Sequence, residues 1–110
     1  MIAKTLLDYL NEHLLVPAYM EAHHELTDYV VIDQTGSSRE NHIVTTTLAI
    51  QSYGQTLYQA MLLNESVRQA MEDFAHLPEV ARVELQTDYN FTNTVTKQYR
   101  WQAVYLITHY

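Results

Sequence analysis

Six histidines are the side chains with the most chemical potential in this sequence: His13, His23, His24, His42, His76 and His109. A zinc site needs three or four such ligands converging on one point. His23 and His24 are neighbours, so on a strand they would point to opposite faces. No two stand at helical i, i+4 spacing, and no HExxH occurs. They read as turn or solvent-facing histidines. Carboxylates give no better acid–base pair. Glu21 and Glu25 fall in a polar stretch, and Glu72-Asp73 falls on the outer side of a helical pattern. A general acid needs a buried carboxyl with a raised pKa, so these read as solvated acidic faces. The chain has two glycines, too few for a glycine-rich phosphate cradle, and Ser37 and Ser38 sit in turn chemistry without a nucleophile elbow around them. With no cysteine there is neither a thiolate site nor a disulfide framework. The expectation is a protein that is not an enzyme and needs no metal or cofactor.

Composition narrows the class further. The 110 residues make one ordinary domain, residues 1–110, and 47% of them are hydrophobic, enough for one core. Two glycines and two prolines argue against linkers and disorder. Thirteen acidic residues against six basic ones give a net charge of −7, which opposes a phosphate-binding surface. The same acidity suits a conduit that DNA passes without sticking. Asp8, Asn11 and Glu12 interrupt the opening apolar stretch, so no signal-peptide core is expected. No segment approaches the ~18 apolar residues that cross a bilayer. The expected setting is the cytoplasm, without a membrane.

The elements that must position these side chains follow from periodicity. Ile2, Leu6, Leu7, Tyr9, Leu10 and Leu14 recur at helical spacing and predict a helix over residues 2–13. Pro17 ends it, and residues 15–21 read as a strand with Pro17 near its start or at an edge. Residues 22–28 read as a loop. The β-branched run at 29–33 is a strand, and Thr35-Gly36-Ser37-Ser38 reads as the tip of a hairpin. Residues 42–53 form its second strand, with Val44, Leu48 and Ile50 on one face and Ile43, Thr45, Thr47, Ala49 and Gln51 on the other. Gly54 ends it. Thr56 and Gln59 form a capping box for a helix over 57–75, whose apolar stripe is Ala60, Leu63, Val67, Ala70, Met71 and Phe74, with Asn64 off the stripe. In the strand at 80–89, Ala81, Val83, Leu85 and Tyr89 share a face. After a polar connection over 90–97, the strand at 98–110 carries Tyr99, Trp101, Ala103, Tyr105 and Ile107 on one side. The predicted class is α+β, order α-β-β-β-α-β-β, with an antiparallel or mixed sheet and two helices packed on one face.

The chain has nine tyrosines and one tryptophan, and Tyr99, Trp101 and Tyr105 share one strand face with Tyr89 and Phe91 nearby in sequence. Aromatics with a polar handle serve either a core or an interface, and both readings stand for Trp101, Tyr89, Tyr99 and Tyr110. The Gly36–Asn41 tip and the Asp88–Lys97 connection are longer than tight turns require, which fits either plain surface loops or loops that reach a neighbour.

The ordered set of segments resembles a known family. It comprises Leu6-Leu7-Asp8-Tyr9-Leu10, Leu15-Val16-Pro17-Ala18-Tyr19-Met20-Glu21, Tyr29-Val30-Val31-Ile32-Asp33-Gln34-Thr35-Gly36, Asn41-His42-Ile43 and Leu48-Ala49-Ile50-Gln51-Ser52-Tyr53. It ends with Asp88-Tyr89-Asn90-Phe91-Thr92 and Tyr99-Arg100-Trp101-Gln102-Ala103-Val104-Tyr105. Together these resemble the tail-terminator or tail-completion proteins of long-tailed phages and prophages of Gram-positive bacteria, also described as minor capsid or head–tail joining proteins. The resemblance implies an α/β subunit of a ring, commonly hexameric, that caps the major tail tube protein and stops its polymerisation. Such a ring would offer a surface to the head connector or head-completion protein, and DNA would pass through it without specific binding. The virion tail or neck would be its place, after assembly in the host bacterial cytoplasm. On that expectation, intersubunit contacts fall on Arg39, Glu40, Asn41, His42, Tyr89, Phe91 and Tyr99, with Arg39 and Glu40 available for cross-subunit ion pairs. Another neck or head-completion component is the nearest alternative, and a small metal- or ligand-binding enzyme domain is the alternative from a different class.

Overall fold

The computed structural model describes residues 1–23 and 25–110. The elements follow in the order α1 (Ile2–His13), β1 (Ala18–Tyr19), β2 (Tyr29–Glu40), β3 (Ile43–Gly54), α2 (Leu57–Phe74), β4 (Val80–Asn90) and β5 (Tyr99–His109). The five strands form one mixed sheet in the order β1-β2-β3-β5-β4. Only β1–β2 is parallel; every other pair is antiparallel. This is the α+β arrangement that periodicity predicts.

Both helices lie on one face of the sheet because each has one apolar stripe to bury. In α1 the buried residues are Ile2, Ala3, Leu6 and Leu10; in α2 they are Ala60, Asn64, Val67, Ala70, Met71 and Phe74. They close over Val30, Ile32, Leu48, Ile50, Ala103, Tyr105 and Ile107. Thr56 caps α2, its hydroxyl accepting from the Gln59 N–H at 3.1 Å. Asn64 corrects the expected stripe: it is buried because it stands four residues after Ala60 and three before Val67, in line with both.

A smaller cluster lies on the other face. Tyr29, Val31 and Tyr53 are buried there beneath Tyr19 and Leu26. The Tyr29 and Tyr53 rings stack at 4.4 Å and 7°. The sheet is thus covered on both sides near β1 and β2, and only by helices farther along.

Strand β1 is far shorter than the predicted 15–21. Val30 donates its N–H to the Pro17 carbonyl at 3.0 Å, which starts the pairing. The outer edge is then taken by a side chain. Asn11 donates its amide to the Ala18 carbonyl at 3.1 Å and accepts from the Ala18 N–H at 2.9 Å. One amide group thereby occupies the place of a sixth strand.

The hairpin of β2 and β3 is longer than expected, and its tip is not at Gly36. Residues 35–40 continue β2, and the chain reverses at Asn41 and His42, with φ of 51° and 68°. A two-residue turn with both φ values positive matches the twist of the flanking strands, and asparagine tolerates that conformation better than most residues. Gly36 marks instead a register shift after Gln34.

The predicted alternation of β4 also fails midway. Register shifts fall at Val80/Arg82 and Leu85/Thr87. Each extra residue reverses the phase of the side chains. Val80, Val83 and Leu85 therefore face the helices, Ala81 is exposed, and Tyr89 turns to the opposite face. The connection to β5 is tighter than its composition suggests. Phe91 donates to the Arg100 carbonyl at 2.9 Å and Asn93 bridges Gln98, so the hairpin narrows to a turn over residues 94–97.

Candidate assembly surfaces

The described histidines have separate partners, and only His42 and His109 share a cleft. His13 stacks on Tyr9 at 3.9 Å, His23 stacks on Tyr19 at 3.7 Å and reaches Glu25 at 3.0 Å, and His109 bonds the buried Thr46 hydroxyl at 2.9 Å. His42 occupies the hairpin turn and His76 is exposed after α2. His24 lies outside the described residues. Among the described residues no group of three or more His, Asp or Glu side chains could hold a metal. Burial raises the Tyr105 phenol well above its ordinary value, and burial likewise raises Tyr29.

The seven residues expected at intersubunit contacts split into two groups at opposite ends of the sheet. Arg39, Glu40, Asn41 and His42 cluster at the β2–β3 tip, all exposed. Arg39 and Glu40 are consecutive on a strand and point to opposite faces, Arg39 level with Val44 and Glu40 with Ile43. Neither makes an ion pair among the described residues. Arg39 and His42 instead border a cleft of about 490 Å³ with Val44, Glu79, His109 and Tyr110.

Tyr89, Phe91 and Tyr99 gather at the other end, beside the turn of β4 and β5. Tyr89 and Phe91 are 39% and 38% exposed and meet edge to face at 5.9 Å. Arg100 organises this end. Its guanidinium stands 4.5 Å from the Phe91 ring, donates to the Phe91 carbonyl at 2.6 Å and donates to the Tyr53 hydroxyl at 3.0 Å. The Tyr53 hydroxyl donates to Gln51, Gln51 to Gln102, and Gln102 to the Tyr89 hydroxyl. This chain of polar contacts crosses β3, β5 and β4 and fixes the aromatic end as a rigid platform. Trp101 belongs to the covered face, and its ring N–H donates to Asp88 at 2.9 Å.

Two further surfaces were not anticipated from the sequence. The first is the outer edge of β2. All eight residues from 33 to 40 are exposed, and β1 covers only the level of Val30 and Val31. Residues 34–38 of that edge carry no charge. Unpaired strand edges without charge or proline are templates for another strand. The signal was present in the Thr-rich partner strand, but reading Gly36 as a turn concealed it. The second is an apolar groove between the end of α1 and α2, with Leu14, Leu15, Val16, Leu62 and Leu63 along its walls. Leu15 and Leu62 lie off the apolar stripes, which is the sequence signal that marks them.

No helix among the described residues is long and apolar enough to cross a membrane. No protein-family model matches the chain, and no curated protein matches it.

Proposed function

We propose that this chain is a structural subunit that assembles with copies of itself into a ring, of the tail-terminator type, capping a phage tail tube and joining it to the head connector. The observation that carries the reading is the free edge of β2, whose residues 33–40 are all exposed and lie beyond the reach of β1. Strand addition to such an edge is a common mode of protein association. The rigid aromatic platform around Arg100 supplies a second, separate contact surface at the far end. The sequence resemblance supports the specific role. On this reading the protein is not an enzyme, its partners are its own copies, the tube protein and the connector, and its place is the virion neck.

The edge can be tested without disturbing the fold. In a two-residue hairpin the closing pair, Glu40 and Ile43, exchanges hydrogen bonds, so the N–H groups of Arg39 and Ser37 face outward. Ser37→Pro removes one outward donor and none of the ladder to β3. Light scattering after size exclusion, with and without purified tail tubes, should find a species near six times 12.8 kDa for the parent chain and a smaller one for the variant. A parent chain that stays monomeric and leaves tube length unchanged refutes the ring.

A further inference from the structure

We infer that the groove between α1 and α2 is the socket for the β4–β5 turn of a second copy of this chain. The inference rests on the ring reading and names a pair of surfaces within it. The groove holds about 430 Å³ along Leu14, Leu15, Leu62 and Leu63 and continues into a depression of about 200 Å³ that shares Val16, Leu62 and Leu63. Leu15 is fully exposed and Leu62 half-exposed on its rim, with Tyr58 and Met61 exposed on the same helix. Large apolar side chains gathered at the mouth of a groove mark a contact site rather than a solvated surface. Each depression has one carboxylate in its lining, Asp73 with His13, Ser66 and Gln69 in the groove and Asp28 with Gln59 in the shallower part, and neither carboxylate makes an ion pair among the described residues.

The matching projection is on the same chain. Val95 stands at the tip of the β4–β5 turn, 91% exposed, and so is not seated in its own groove. The turn is held in one shape: the Asn93 side chain accepts from the N–H groups of Val95 and Thr96 at 3.1 and 3.3 Å, and the Asn90 side chain accepts from the Thr92 N–H at 3.0 Å. Lys97 follows the tip with a φ of 57°, exposed and without an ion pair among the described residues. An aliphatic knob with an adjacent cation meets a leucine-walled socket with a carboxylate in each part of its lining. A preorganised tip loses little entropy on docking. Because knob and socket are different surfaces, each copy offers one and accepts one, and contacts of that kind close into rings when the rotation between copies divides a full turn.

The cysteine-free chain allows a direct test. Val95→Cys and Leu62→Cys place thiols on exposed positions that the fold does not need. Under mild oxidation, an equal mixture of the two single variants should give the mixed 95–62 dimer at about tenfold or more over either like dimer, since docking raises the local thiol concentration. The double variant should give a ladder of cross-linked species up to the ring. Lys97→Asp should lose the mixed product, and combining it with Asp73→Lys in the other copy should restore it. A ring that forms by light scattering without excess mixed product overturns the socket and leaves the ring reading standing. A ladder that stops at a doubly linked dimer overturns ring closure through this contact. A chain that neither oligomerises nor cross-links overturns both.

Discussion

The two glycines should respond in opposite ways to the same substitution. A Cβ at Gly54 would lie 2.6 Å from the Ala60 backbone nitrogen, 3.0 Å from the Gln59 carbonyl carbon and 3.1 Å from the Gln59 Cβ. Two of these three atoms are backbone of the first turn of α2, so the helix itself must move. Ala60 is fully buried in that turn, and Val67, Met71 and Phe74 follow it into the core. Displacing such a helix is an overpacking effect that costs about 1–3 kcal/mol. At 110 residues each kcal/mol is worth roughly 4–8 °C in Tm, so Gly54→Ala should melt at least several degrees lower. At Gly36 nothing lies within 4 Å of an added Cβ, and its φ is not positive. Gly36→Ala should therefore be neutral or stabilising by about 0.4–1 kcal/mol, through the reduced entropy of the unfolded chain. Thermal and urea denaturation followed by circular dichroism at fixed concentration would measure both. Equal losses at the two positions, or a loss confined to Gly36, would refute the placement of the turn and of the helix against β3.

Three other outcomes follow from single residues. Tyr105 is buried with a hydroxyl that finds no partner among the described residues, so Tyr105→Phe should match or exceed the parent in urea midpoint. Its folded pKa is raised, so its contribution is complete below about pH 10 and is lost as pH rises beyond the unfolded value; the parent should weaken above about pH 10 more steeply than Tyr105→Phe. Asn11→Ala uncovers both polar backbone groups of the buried Ala18 and should cost about 1–3 kcal/mol, with faster amide exchange at Ala18 as the specific signature. His42→Gly relieves a positive φ in the hairpin turn and should raise stability by about 1 kcal/mol; an unchanged or lower midpoint would argue against the turn at Asn41 and His42.

The helices and the order of elements were legible because their stripes are periodic: Ile2, Leu6 and Leu10, and Ala60, Val67, Met71 and Phe74, bury as spacing predicts. The faces of β3 and β5 were legible for the same reason, with Leu48 and Ile50, then Ala103, Tyr105 and Ile107, all in one core. What sequence patterns did not reveal depends on backbone irregularity or on long-range contact. The register shift in β2 falls at Gly36, a residue that suits a turn equally well, which drew the expected tip away from Asn41; the shifts in β4 carry no such mark and turn Tyr89 to the opposite face. The reach of Asn11 to Ala18 and of Arg100 to Tyr53 depends on how elements pack after they form. Of the expected contact residues, Arg39, Glu40, Asn41, His42, Tyr89 and Phe91 are exposed and Tyr99 is half-buried, and periodicity could not show that they lie at two separate ends.

The Asn11–Ala18 clasp has a consequence for how far this sheet can grow. An approaching strand finds the level of Ala18 already satisfied, so the edge is closed there and open only beyond it. Eight residues of strand span about 26 Å. Growth on this side is therefore limited to a fixed length of incoming chain, entering from the hairpin end. An edge of that kind would take a short strand only, whereas an uninterrupted edge would let copies slide along each other into fibres of indefinite register. The end of β1 thus sets how much of β2 is left open, and the Asn11 amide closes the edge that β1 itself would otherwise present.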